Sequence, residues 1–226
     1  MTTNRPPELD VGLAENPEPR CACVLLLDTS GSMKGNPIKE LNKGLQTFKD
    51  VLMKDDVAPK RVEVAVVTFD GSVKVVQDFV TVDGFEPPEL TTGSLTFMGT
   101  AIHKALDMVE ERKQQYRANG VKYFRPWVML ITDGEPQGEK EDVVARASTR
   151  IKDAERGKHV VFYAVAVAEA DMARLEDIAG KPPLKLAGLK FVELFQWLSD
   201  SMAGVAKTKP GEEQLALPTP AGLLRA

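Results

Sequence analysis

The chain reads as an α/β domain: a mostly parallel central sheet with one antiparallel edge strand and helices on both faces. Three observations predict this. Apolar runs of strand length alternate with amphipathic helical segments along most of the 226 residues. Two of those runs, Val24–Leu27 and Trp127–Ile131, share one grammar, an apolar strand that ends in a carboxylate, Asp28 or Asp133. A single tight-turn signal, Asp70-Gly71, joins two strand-like runs directly. Strands that are apolar throughout are buried on both faces, as in parallel sheets, and the intervening helices supply the crossovers.

The elements follow in order. Residues 22–28 form a buried strand. Ile38, Leu41, Leu45, Phe48 and Leu52 then recur at helical spacing, and Asn36-Pro37 marks the start, because a first-turn proline lacks only an N–H that the helix does not use. Val62–Phe69 is the next strand, and Asp70-Gly71 turns the chain into Val73–Val80, the antiparallel edge strand. A proline-containing loop over 83–97 leads to a helix marked by Ile102, Ala105, Leu106 and Val109. Strand 127–132, helix 140–155, the apolar strand His159–Val167, a short helix at 171–179 and a brief strand at 184–187 come next. A final helix, 190–206, carries Phe191, Leu194, Phe195, Leu198, Met202 and Val205 on a broad apolar face. The folded domain therefore spans residues 20–206. Residues 1–19 and 207–226, rich in Pro, Glu or small residues and without periodicity, are expected to be flexible segments.

Composition bounds the function. With 43% hydrophobic residues the chain suffices for one substantial core. A net charge of −4 and a pI near 5.4 leave no basic footprint, which argues against nucleic acid as a partner. No apolar stretch approaches a membrane span, and the first twenty residues lack the apolar core of a secretory signal. The two cysteines, Cys21 and Cys23, alternate along a strand without disulfide geometry, so a reducing, cytoplasmic location is expected. Both cysteines, and His103 and His159, read as structural.

The chemistry concentrates where the first strand ends. Asp28, Ser30 and Ser32 are oxygen donors at i, i+2 and i+4, a spacing that sends three side chains to one side of an extended loop, with Gly31 as a source of backbone freedom. A hard divalent cation such as Mg²⁺ prefers such oxygen ligands and rarely receives a complete protein cage. Thr132-Asp133-Gly134 ends the second strand of this kind. Between them, Thr96-Phe97-Met98-Gly99-Thr100-Ala101 places a threonine and small residues just before a helical pattern. In an open parallel sheet, ligands bind outside the carboxyl ends of the strands where the strand order switches.

These residues resemble the von Willebrand factor type A family and its metal-ion-dependent adhesion site: Asp-x-Ser-x-Ser at Asp28, Ser30 and Ser32, a Gly-Thr pair at Thr100, and Thr-Asp-Gly at Asp133. The resemblance covers roughly residues 20–206 and, through "TFMGTAIHKALD" and "YFRPWVMLITDGEP", looks most like the bacterial tellurium-resistance (TerY-like) members. It implies a Rossmann-like fold in which Ser30, Ser32 and Thr100 touch Mg²⁺ directly, with Mn²⁺ or Ca²⁺ as substitutes. Asp28 and Asp133 would act through water or bind directly, and one position would be left for an acidic side chain of a partner protein. It further implies a non-enzymatic, cytoplasmic binding module in a stress-response complex, with a kinase or phosphatase of the same pathway as a candidate partner. Specificity would come from Lys34, Asn36, Asp70, Phe97, Glu135 and Gln137 at the rim. The competing reading is a metal-dependent hydrolase or phosphatase using Asp28 and Asp133.

Overall fold

The computed structural model describes residues 13, 15–168, 170–211 and 224–225. Its main strands are β1 (Cys21–Asp28), β2 (Val62–Phe69), β3 (Val73–Thr81), β4 (Trp127–Thr132), β5 (Val161–Ala166) and β6 (Leu184–Leu186), arranged β3-β2-β1-β4-β5-β6. All neighbours are parallel except β3, which returns antiparallel along β2 at one edge. At the other edge a two-residue strand, β7 (Leu224–Arg225), pairs antiparallel with β6. The longer helices are α1 (Asn36–Leu52), α2 (Met98–Ala118), α3 (Glu141–Arg156), α4 (Met172–Ala179) and α5 (Phe191–Ala206), and a single helical turn, Ala58–Arg61, precedes β2.

Strand alternation divides the core into two layers. Cys21, Cys23, Leu25 and Leu27 of β1 face α1 and α5, where Leu41, Leu45, Phe48, Phe191, Phe195 and Leu198 meet them. Val24 and Leu26 point the opposite way, into Ile102 and Ala105 of α2, Val144 and Ile151 of α3, and Ile178 of α4. A buried leucine or phenylalanine contributes roughly 1.5–3 kcal/mol, so the apolar face of each helix fixes which side of the sheet it covers. The contact between α1 and α5 is close: a Cβ at Gly44 would lie 2.5 Å from the Phe195 ring.

The expectations for residues 1–19 and 207–226 fall largely outside the described residues. Of those described, Asn16 donates to the Lys60 carbonyl at 2.8 Å, and Glu18 pairs with Arg61 at 2.6 Å.

The topology also places the site. From β1 the chain builds outward to β2 and β3, and then starts again on the other side with β4, so strand order reverses between β1 and β4. Leu27 is paired with Ile131 in that parallel ladder, which brings Asp28 level with Thr132 at the carboxyl ends of both strands.

Candidate functional site

Asp28 closes β1 and turns the chain. Its Oδ1 accepts from the Ser30 backbone N–H at 2.8 Å, an Asx-type contact that ends the strand, and its Oδ2 accepts from Thr132 Oγ1 at 2.5 Å. Both carboxylate oxygens are thus engaged and the residue is 0% exposed. The next residues wind into a short 3₁₀ turn, Gly31–Met33, pinned by Met33 in the core. Gly31 is not at positive φ; the residue that needs glycine is Gly35, at φ 92°, which redirects the chain into α1.

A chain of hydroxyls leads outward from there. Ser30 Oγ and Ser32 Oγ are 3.0 Å apart, and Ser32 Oγ donates to Asp133 Oδ1 at 2.7 Å. Asp133 stands just beyond β4, where the Gly134 N–H donates back to Thr132 Oγ1. The loop before α2 completes the enclosure. Gly93 N donates to the Thr29 carbonyl at 2.7 Å, Phe97 N donates to the Asp70 carbonyl at 2.9 Å, and Thr96 and Gln137 exchange two backbone hydrogen bonds at 3.1 and 3.0 Å. These contacts border a cleft of about 360 Å³ lined by Ser30, Ser32, Thr96, Asp133, Glu135 and Gln137, among others.

Asp28, Ser30, Ser32 and Asp133 are therefore brought together. Thr100 is not. It lies in the first turn of α2, exposed, where its N–H and Oγ1 both donate to Glu139 Oε2 at 3.0 Å, while the Gly99 N–H donates to Glu139 Oε1 at 2.6 Å. The Glu139 carboxylate satisfies the free N–H groups of the helix start, and Thr100 belongs to that cap. Thr96 stands in the cleft instead. It is 4% exposed, and among the described residues its hydroxyl makes no hydrogen bond. The signal in the sequence is positional: a hydroxyl one residue or more before a helix can face the strand ends, whereas one inside the first turn points along the helix flank. Of the six rim residues, Glu135 and Gln137 line the cleft, while Lys34, Asn36, Asp70 and Phe97 are outside its lining.

The electrostatics are those of an uncompensated anion. Burial pushes the Asp28 carboxyl up to about 6; the hydrogen bonds from Thr132 and Ser30 oppose the shift, and the nearby Asp133 charge adds to it. Asp133 is also raised, mainly by burial, against the Ser32 hydrogen bond. Among the described residues neither carboxylate has an ion-pair partner. Two carboxylates with hydroxyls and no protein cation form a hard oxygen set that suits a small divalent ion. Among the described residues, no three His, Cys, Asp or Glu side chains converge to hold a metal, here or elsewhere, so any ion at this site would rest on two carboxylates and the hydroxyls.

The family model for the von Willebrand factor type A domain matches residues 23–192, and the chain belongs to that family. It is similar to matrilin-3 from Gallus gallus, 29% identical over 169 residues, covering 70% of this chain and 34% of that protein. The chain thus spans about a third of the length of the curated relatives it matches. Among solved structures, the fold is similar to a von Willebrand factor type A protein from Catenulispora acidiphila (TM-score 0.61, 18% identity, 82% of this chain and 43% of that one). It is also similar to proximal thread matrix protein 1 from the mussel byssus with a zinc-occupied MIDAS motif (TM-score 0.54, 18% identity, 84% and 47%).

Two expectations change here. The curated relatives include matrilins and a collagen alpha-6(VI) chain, where the motifs suggested tellurium-resistance proteins. The expected cytoplasmic location is overturned, because the matrilins and the collagen VI chain among the relatives are extracellular-matrix proteins. The cysteines misled for a physical reason. Cys21 and Cys23 are free, fully buried core residues whose thiols are raised by burial, Cys21 to about 12, so they behave as inert apolar side chains whatever the surrounding redox poise. No described helix is long and apolar enough to cross a membrane.

Proposed function

We propose that this domain is a metal-dependent protein-binding module. The Ser30, Ser32 and Thr96 hydroxyls, with Asp28 and Asp133, would hold a divalent cation, and an acidic side chain of a partner protein would complete its coordination. The observation that carries this reading is Asp28, a wholly buried carboxylate raised by desolvation, next to a second carboxylate and, among the described residues, without a protein cation. A bound cation supplies the missing charge, and neutral hydroxyl ligands leave it attractive to an incoming carboxylate. Mg²⁺ suits the ligand types best, with Mn²⁺ and Ca²⁺ as substitutes. The zinc-occupied motif of the mussel protein supports a divalent ion in this fold.

The alternative, a hydrolase or phosphatase using Asp28 and Asp133, has the geometry against it. Both Asp28 oxygens are engaged by Ser30 and Thr132, and the side chain presents no face to a substrate. A kinase or phosphatase partner in a stress-response complex has no feature of the site in its favour, and the matrilin relatives direct the partner search to exposed acidic loops of extracellular proteins.

Calorimetric titration of chelator-treated protein with Mg²⁺ and Mn²⁺, with and without acetate, tests the reading. Saturable uptake by wild type, strengthened by acetate and lost in Asp133→Ala, is expected. Equal behaviour of the two proteins would defeat it.

A further inference from the structure

Leu95 is a large apolar side chain where burial gives no reason for one. It is 46% exposed and is a member of neither core layer. Its backbone lies at φ 59°, in the left-handed region that disfavours residues other than Gly, Asn and Asp. The side chain sits between the β2–β3 turn at Gly71 and the loop after β4 at Gly138, and it forms part of the wall of the cleft that holds Ser30, Ser32 and Asp133. A strained backbone that displays an apolar group beside a binding cleft points to a role in binding. The charge of the cleft adds a second constraint. Glu135 lines it together with Asp133, so a second acid beside the one on the cation would meet like charge at the rim, and a run of acids gains nothing.

We propose that Leu95 selects the partner: the ligand presents one acidic side chain to the cation and a large apolar side chain, adjacent in its sequence, to Leu95, while acidic runs gain nothing. This rests on the metal-dependent reading above. Wild type and Leu95→Asn, chelator-treated and reloaded with Mn²⁺, are titrated calorimetrically with three short peptides containing Leu-Asp, Ser-Asp or Asp-Asp between glycines. Wild type is expected to bind the Leu-Asp peptide about tenfold more tightly than Ser-Asp, as partial burial of one leucine implies, and to bind Asp-Asp no more tightly than Ser-Asp. Leu95→Asn is expected to bind Leu-Asp and Ser-Asp alike with unchanged Mn²⁺ affinity. Its metal-free Tm should not fall, because Asn accepts the left-handed backbone. Mn²⁺ uptake without peptide binding or without the Leu-Asp preference, a preference retained in Leu95→Asn, or a lowered Tm would overturn the inference alone. Absence of Mn²⁺ uptake would overturn the metal reading and this inference together.

Discussion

Asp28 and Glu63 are both buried carboxylates on adjacent strands of one sheet, and the molecule treats them in opposite ways. Glu63, near the amino end of β2, is 2% exposed and held by two cations, Arg20 at 3.0 Å and Arg112 at 2.8 and 2.9 Å, and by the neutral Tyr116 hydroxyl, which donates at 2.5 Å. Arg112 also lies over the Tyr116 and Phe79 rings. Asp28, at the carboxyl end of β1, receives only neutral donors and shares its surroundings with Asp133. The difference separates a structural carboxylate from a functional one. Where the chain provides its own counter-charge, the group closes a network that ties the N-terminal segment to β2 and α2. Where it withholds one, the charge must come from solution.

The largest expected effect breaks the compensated end. Glu63→Ala leaves the fully buried Arg20 guanidinium without its carboxylate and should cost about 3–5 kcal/mol in denaturant unfolding. Asp28→Asn should do the reverse in chelated buffer. The folded carboxyl is raised to about 6 from an ordinary value near 3.8, so below about pH 4 both folded and unfolded states are protonated and no penalty exists. As the pH rises from about 4 to 6 the unfolded chain releases its proton first, and metal-free stability falls by about 3 kcal/mol at most. Asp28→Asn should flatten that decline and be the more stable protein at pH 7.5. Urea midpoints at pH 4, 5, 6 and 7.5 measure it; parallel curves for the two proteins would remove the uncompensated charge from the argument.

Metal sharpens the same contrast. At a concentration one hundred times its Kd, Mg²⁺ or Mn²⁺ should stabilise wild type by about 2.7 kcal/mol, and Asp28→Asn by much less. Thermal scans with and without metal give the comparison. The smallest effect separates the two threonines. Thr96→Ala should weaken metal binding about tenfold or more, whereas Thr100→Ala removes one of three hydrogen bonds to Glu139, leaves metal affinity unchanged and costs about 1 kcal/mol of stability. Reversal of the two metal affinities would return the ligand role to Thr100.

Much of this was legible before the fold. The apolar runs at 22–28, 62–69 and 127–132 and the helical spacing of Leu41, Leu45 and Phe48 correspond to observed elements, because burial on one or both faces imposes its own period on a sequence. Asp28, Ser30, Ser32 and Asp133 could be grouped because each directly follows or ends a recognisable strand. Thr96 could not be told from Thr100, because the choice depends on where α2 begins and on the reach of Glu139, some forty residues away in sequence. The role of Gly35 was hidden too, since φ at a loop glycine depends on the direction in which the next helix must leave.

The amino-acid sequence by itself determined the order and type of the elements, the two-layered core and the oxygen-rich character of one sheet end, because periodicity and residue chemistry are local properties. Only the tertiary structure decided which hydroxyls share a cleft, that among the described residues Asp28 lacks a cation while Glu63 has two, and that Leu95 stands exposed beside the site. Those are relations between segments distant in the chain, and they come into being when strand order reverses between β1 and β4 and brings four loops to one edge.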